Sequence, residues 1–373
     1  MSAYPLSAYR QLFPDGGQTT SFDPAEDGDH YRPEANFFEW WYFDVAFEDG
    51  GYLVAILHSS LYNAVDHKPT LDLRYYPPDS SRHSPVVAIA RFDRGTYRAV
   101  PDRCHVQIGD CVAVDEGGCY RLSLRHELLK AELIFWPLLP GWRAGTGHLF
   151  SDPASGRHFD WIVPLPRARV EGALTVNGRC RRVVGVGYHD HNWGNFYLPT
   201  AFGRWTWGRV LAGDWTVIFG DVVGCDGAAR RGTPLPHVTP FMLARGDEIL
   251  LATDCISVCG EEPVQEPHTG AGYFRRLRLV TAEAAVELTL TARRAIEALD
   301  FSAPRPLLAR QRHLRGVTEL AFYLAQRVPG LGRVAAWLLG KGSYLRLEAD
   351  YRLDLPDHAV VGTGRALYEV MLL

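Results

Sequence analysis

The ten residues Gly185-Val186-Gly187-Tyr188-His189-Asp190-His191-Asn192-Trp193-Gly194 hold two imidazoles, a carboxylate, a carboxamide, a phenol and an indole between glycines. Buried polar groups without partners cost roughly 2–7 kcal/mol each, so a cluster this dense reads as a site or a brace. Three chemistries are open to it. Asp190 can act as a general acid or base beside Tyr188, because an apolar, aromatic cavity raises a carboxyl's pKa and lets it give a proton to a substrate. The His189-Asp190-His191 spacing can hold a metal. Or the cluster bonds loop backbones where two domains meet. Acid–base work is preferred. Metal is disfavoured because Asn192-Trp193-Gly194-Asn195 adds no carboxylate and no second His-x-His or His-x-x-x-His occurs. No metal is therefore expected.

If 185–193 form a strand, side chains alternate between faces. Tyr188, Asp190 and Asn192 then share one face, and His189, His191 and Trp193 the other; the sequence leaves open which face is interior. Asp190, Tyr188 and His191 are the catalytic candidates. Trp205-Thr206-Trp207-Gly208-Arg209 puts Trp205, Trp207 and Arg209 on one strand face. Indole faces tolerate a cation through the ring quadrupole, and Arg209 can orient a carboxylate. Asp221 is a second acid in strand context. Glu39 and Asp44 flank Trp40-Trp41-Tyr42, where Glu39 is expected to be partly buried and hydrogen-bonded and Trp41 joins the binding candidates.

These residues need a β scaffold. Glu39–Phe47 and Tyr52–His58 flank an Asp-Gly turn, Gly117-Gly118 marks a second hairpin, and Asn177-Gly178 joins Val170–Val176 to Arg179–Tyr188, which runs into the cluster. Strands are also expected at 131–136, 204–211, 214–223, 240–244 with 248–252, 277–280 with 286–291, 344–353 and 364–372. Residues 1–30 read as an extended arm and 137–147 as a Pro-Gly-rich break. Leu314, Val317, Leu320, Ala321, Leu324 and Val328 follow helical spacing, resumed by Leu331, Val334, Ala335 and Leu338 after Pro329-Gly330. A helical insert is thus expected at 306–341, preferably a packing element, alternatively a lid or peripheral membrane contact. The class is mainly β, in two antiparallel barrel or sandwich domains, 1–168 and 169–373.

Composition excludes several alternatives. The 373 residues are 47% hydrophobic and 22% charged with a net charge of −4, ordinary for a folded protein and unlike a nucleic-acid binder. No signal peptide or apolar transmembrane run is read, so a cytoplasmic protein is expected, with membrane association only through the insert. Seven cysteines without a Cys-x-x-Cys pair fit reduced thiols. There is no Gly-rich phosphate loop and no Gly-x-Ser-x-Gly element.

Glu39-Trp40-Trp41-Tyr42, the segment Trp161–Gly172, Gly187–Gly194 and Trp205–Arg209 follow one another in an order that resembles the hydroxyneurosporene synthase (carotenoid 1,2-hydratase) superfamily. The resemblance covers about residues 37–223 and the strand ending Tyr368-Glu369-Val370-Met371. It implies two lipocalin-like β-domains, a site in the cleft or barrel near their junction, no cofactor and no metal. The superfamily includes decalin-forming Diels–Alderases. In its hydratases, a Tyr-x-Asp and an aromatic–His pair are implicated in protonating a terminal isoprenoid alkene, after which water adds to the tertiary cation. Carried over, these positions fall at Tyr188, Asp190 and Trp161, with His158 near the histidine position. The hydratases carry Phe-Asp-Ala-Asn-Phe where this chain has His189-Asp190-His191-Asn192-Trp193, which leaves the substrate open. The expected activity is a cofactor-independent hydratase or cyclase for a lipophilic unsaturated substrate, with Trp161, His158, Trp193, Trp205, Trp207, Arg209, Trp41 and Asp221 in its binding site. The alternatives are a pericyclase that folds a linear polyene, and a carrier that binds a hydrophobic ligand without chemistry.

Overall fold

The computed structural model describes residues 22–61, 66–78, 85–224, 237–282, 284–300, 342–356 and 359–373. The helical insert expected at 306–341 lies outside the described residues. Among those described there is no α-helix, only one-turn 3-10 segments such as Pro24–Asp27.

The chain forms two antiparallel sheets. The first holds β1 (Phe38–Phe47), β2 (Tyr52–Ser60), β3 (Thr70–Tyr76), β4 (Val86–Arg91), β5 (Tyr97–Ala99), β6 (His105–Ile108), β7 (Cys111–Asp115), β8 (Tyr120–Arg125), β9 (Leu129–Pro137), β10 (Trp142–Asp152), β11 (Arg157–Val176) and β12 (Arg179–Gly194). Its order is β4-β3-β2-β1-β12-β11-β9-β8-β7-β6-β5, with β10 added on β11. The second holds β13 (Phe202–Ala212), β14 (Trp215–Gly224), β15 (His237–Val238), β16 (Phe241–Arg245), β17 (Glu248–Thr253), β18 (Ile256–Gln265), β19 (Gly272–Thr281), β20 (Glu287–Asp300), β21 (Ser343–Asp354) and β22 (Ala359–Leu372). Its order is β17-β16-β14-β13-β22-β21-β20-β19-β18, with β15 on β14.

The sheets hand over between Gly194 and Phe202, so the expected boundary at 168/169 falls inside β11. The Asn177-Gly178 turn, with both residues at positive φ (48° and 81°), folds β12 straight back onto β11 and keeps both in the first sheet. The expected break at 137–147 becomes β10 from Trp142 onward; Gly145 and Gly147 at positive φ accompany register shifts that bend it rather than end it. The expected extended arm is structured where described: Asp23 and Glu26 form a capping box around a 3-10 turn that drives Asp27 into the first core.

Each sheet curls around its own core. Phe43, Val45, Leu122, Leu133 and Phe135 fill the first, and Phe219, Leu279, Leu288, Leu347 and Tyr368 the second. A third apolar cluster, with Trp161, Tyr188, Phe202 and Val222, lies where the outer faces of the two sheets meet. Strand β1 shows why this happens. Trp41, Phe43 and Val45 point into the first core, while Tyr42 on the opposite face is packed in the third cluster with Trp40 against it. A strand bulky on both faces cannot leave either in water.

Two facing rows follow from register. In the first sheet Asp190 pairs with Tyr42, Tyr42 with Ile56, and Ile56 with Asp72, crossing β12, β1, β2 and β3. In the second, Trp207 pairs with Glu369, Glu369 with Arg346, and Arg346 with Glu297, crossing β13, β22, β21 and β20. All eight side chains line one cavity between the sheets.

Candidate active site between the sheets

The cavity encloses about 1210 Å³ free of protein atoms, its open mouth included. Trp40, Phe159, Trp161, Trp205, Trp207 and Val222 line its aromatic end. Asp190 stands there on β12, 7% exposed. Tyr188 Oη donates to Asp190 Oδ2 at 2.9 Å, Trp161 Nε1 to the same oxygen at 3.3 Å, and Asn192 Nδ2 to Oδ1 at 2.8 Å. Among the described residues no Lys, Arg or His lies within ion-pair distance of it. Burial therefore dominates, with Glu369 and Asp44 adding repulsion, and the carboxyl is pushed up to about 7 despite the hydrogen bonds from Tyr188 and Trp161.

The alternation expected of the motif is the one found, and it settles which side faces inward. Tyr188, Asp190 and Asn192 turn toward the second sheet. His189 and His191 turn into the first core. The framing glycines serve this packing: a Cβ on Gly187 would stand 2.5 Å from Phe135 Cε1 and 2.6 Å from Val170 Cγ2.

His191 does not reach the cavity. It is fully buried on the core side, stacked on Trp41 with ring centroids 4.3 Å apart. Its Nδ1 lies 3.3 Å from Asp27 Oδ1 and its Nε2 3.3 Å from Glu39 Oε1. Burial would depress this imidazole, but the two carboxylates outweigh burial and push it up to about 9. His189 stacks on Phe43 and pairs through Nε2 with Asp27 Oδ2 at 3.0 Å, where Tyr120 Oη also donates at 3.0 Å. Burial would raise Asp27, yet His189 and His191 hold it below the ordinary carboxylate value. Glu39 accepts from Ser59 and from the His30 amide, more deeply buried than the partly buried position expected.

Other candidates divide in the same way. Trp161, Trp205 and Trp207 line the cavity, whereas Trp41, Trp193, His158, Arg209 and Asp221 do not. Trp193 stacks on His30 at 3.8 Å, and His158 shares Asp160 with His148 on the far face of β11. Asp221 is held by Arg204 and His237. Arg209 supports the cavity from behind: its Nη2 pairs with Asp44 Oδ1 at 2.5 Å and donates to Tyr52 Oη at 2.6 Å, and its guanidinium lies 5.2 Å from the Tyr188 ring.

Sequence reasoning missed the opposite end of the cavity. Arg346 Nη2 pairs with Glu369 Oε1 at 2.6 Å and donates to Tyr42 Oη at 3.1 Å, while its Nε donates to Tyr344 Oη at 3.1 Å. Arg74 grips Asp72 through two bonds of 2.7 and 2.6 Å and reaches across to Glu297, whose other oxygen accepts from Tyr76 Oη at 2.6 Å. The available signal was a polar residue at every second position opposite an apolar strand face, as Arg346 is to Leu345 and Leu347.

Among metal-ligating groups, Asp27, Cys104 and His189 bring their ligand atoms within 4.8 Å of one another. They lie in the closed first core, and the hydrogen bonds joining Asp27 to His189 and Tyr120 account for their placement. No described helix is long and apolar enough to cross a membrane.

The fold and site define a tandem, lipocalin-like pair of curled antiparallel sheets with an acid-bearing aromatic cavity between them. Comparison with known proteins agrees. Residues 146–234 match the carotenoid hydratase CrtC family model. The chain is 32% identical over 107 residues to a hydroxyneurosporene dehydrogenase of Chlorobaculum tepidum, covering 25% of this chain and 27% of that protein. It is 36% identical over 62 residues to the quinolone epoxide rearrangement protein asqO of Emericella nidulans, 17% of each. The matched stretches thus span about a quarter and about a sixth of these relatives' lengths. Among solved structures, a Nitrosomonas europaea protein provisionally named AttH superposes with a TM-score of 0.62 at 18% identity, covering 97% of this chain and 98% of that one. CghA bound to Sch210972 gives 0.60 at 13%, covering 95% and 96%. Kievitone hydratase from Nectria haematococca gives 0.55 at 14%, covering 97% and 96%. These solved structures share the chain's fold of two curled antiparallel sheets over nearly its whole length.

Proposed function

We propose that the protein is a cofactor-independent hydratase or cyclase acting on a lipophilic, unsaturated substrate, with Asp190 as proton donor. The observation that carries this reading is a cavity-lining carboxyl without a cationic partner among the described residues, pushed up to about 7 by burial. Near neutral pH about half of it is protonated, the condition in which a general acid works best. Asp190 transfers its proton to one alkene carbon and the other becomes a carbocation. The faces of Trp161, Trp205 and Trp207 border that charge. Water adds to the cation and returns a proton to the Asp190 carboxylate, so one water is added overall. Where an internal alkene or hydroxyl captures the cation, a ring forms, and the proton then lost from the ring cation or oxonium returns to the Asp190 carboxylate. Tyr188, Trp161 and Asn192 hold the carboxyl in place and stabilise the anion left after transfer.

The similarity to the CrtC family and to a structure titled kievitone hydratase supports the hydratase class. The test is turnover of a terminal isoprenoid alkene in D₂O, followed by mass spectrometry. One solvent deuterium per product carbon protonated, lost in Asp190→Asn, is the expected result. Ring closure without deuterium would replace this reading with a concerted reaction, and recovery of unchanged ligand would replace it with a carrier.

A further inference from the structure

Beyond Tyr42, the register partner of Asp190, the cavity turns polar, and the mechanism above makes no use of that part. Arg74, Glu297, Arg346 and Glu369 converge there from β3, β20, β21 and β22, with Tyr42 and Tyr344 between them. Arg346 is 2% exposed. Its Nε and Nη2 are engaged by Glu369, Tyr344 and Tyr42, while its Nη1 has no hydrogen-bond partner among the described residues. Trp207 Nε1, in the same row of the second sheet, has none either. A site for a pure hydrocarbon needs few buried polar groups, and leaving donors unmet in it weakens binding.

Resting on the reading of Asp190 as the acid, we propose that the substrate is not a hydrocarbon: it carries a neutral oxygen acceptor, a hydroxyl or carbonyl, that docks at the Arg346–Glu369 end while its alkene lies against Asp190. Register sets the distance. Arg346 Nη2 reaches Tyr42, which pairs directly with Asp190, so the polar end begins within about two strand steps of the acid, roughly 10 Å, and the row runs on to Asp72 on β3, three steps or about 14 Å from Asp190. An extended farnesyl chain covers that row. The oxygen is neutral because Asp72, Glu297 and Glu369 already outnumber Arg74 and Arg346, so a carboxylate would add to an excess of negative charge.

The test is binding of matched probes to the full chain, read by tryptophan fluorescence: farnesol, farnesylacetone, farnesoic acid and α-farnesene. It is run on wild type and on Asp190→Asn, so that affinity is read without turnover. One satisfied buried donor is worth on the order of tenfold in affinity. Farnesol or farnesylacetone should therefore bind at least tenfold tighter than α-farnesene, and farnesoic acid more weakly than farnesol, in both proteins. The double variant R346M/E369L removes the buried pair together, which avoids stranding one charge. In it the preference should fall to within threefold. Equal affinity for farnesol and α-farnesene in wild type, a preference unchanged in R346M/E369L, or tightest binding by farnesoic acid would each overturn the proposal. A preference that persists while Asp190→Asn keeps full activity would instead refute the acid assignment and leave the polar end standing.

Discussion

Replacing Asp190 by Asn separates its effect on rate from its effect on stability. Folding moves this carboxyl from an ordinary value of 3.8 to about 7, a shift of about 3 pH units. At 1.36 kcal/mol per unit, the ionised form carries a penalty in the native state on the order of 4 kcal/mol. The sign is fixed by proton counting. Between pH 4 and pH 7 the native state binds more protons at this site than the unfolded chain, so stability falls as pH rises through that window and is level above it. Asparagine has no charge to bury and removes this slope. It also offers one acceptor oxygen where three donors converge from Tyr188, Trp161 and Asn192, which costs about 1–3 kcal/mol at every pH. The variant should therefore be less stable than wild type at pH 4 and more stable at pH 8. Its alkene-protonation rate should drop roughly 10²- to 10⁴-fold, the range of general acid catalysis. In wild type the same rate should fall about tenfold per pH unit above 7. The assays are deuterium incorporation from D₂O across pH 5–9 and thermal melting of both proteins across pH 4–8. A rate level up to pH 9, full activity in Asp190→Asn, or a stability difference that does not change sign with pH would refute the reasoning.

The remaining predictions use the neighbours. Tyr188→Phe removes a hydrogen bond that lowers Asp190, so the falling limb of the pH–rate profile should move up by about one unit with only a few-fold change in maximal rate; an unmoved limb counts against the contact. His191→Ala leaves Glu39 buried without its imidazole and Asp27 with His189 alone, and should cost about 3–5 kcal/mol in denaturant melts. Because His191 is raised from 6.5 to about 9, its stabilisation is complete below pH 6.5 and lost as pH rises through 9, so the variant's deficit should shrink on the alkaline side. Gly187→Ala drives a methyl into Phe135 and Val170 and should lower stability by about 1–3 kcal/mol, seen as an earlier thermal transition.

The sequence made the period of the structure legible and left its second burial surface hidden. The hairpins at Asp49-Gly50 and Asn177-Gly178, and the split of Tyr188/Asp190 from His189/His191, are local facts of turn chemistry and strand alternation, and both appear in the fold. Arg346 and Glu369 could not be read in the same way. On β21 and β22 they alternate with Leu345, Leu347, Tyr368 and Val370, and a charge opposite an apolar face ordinarily reads as solvent-facing. Here the outer face of each sheet is covered by the other, a long-range fact that no local pattern carries. The core-side burial of His191 is hidden in the sequence for a related reason. Asp27, which holds it, lies more than 160 positions earlier in a segment rich in Pro, Asp and Gly that resembles a loose arm.

The two faces of β12 set one acid of its own, Asp190, against another, Asp27 of the 3-10 turn, of opposite character. On the core side, Asp27 meets His189 and His191 at hydrogen-bond or ion-pair distance and is held ionised. On the cavity side, Asp190 is also buried but meets only neutral donors among the described residues, and its proton is retained until near neutrality. Residues one step apart along a strand thus point into environments that push their ionisation in opposite directions, which is how a proton donor is told from a structural anion. The arrangement also bears on precision. The buried pairs of His189 and His191, with Phe43 and Trp41 stacked on them, fix the strand from behind, so Asp190 projects from a backbone with little freedom to shift. On the proposed reading of Asp190 the histidines act by positioning: their loss should lower stability and blur the geometry of Asp190, while the pH at which the acid titrates stays set by the cavity side alone.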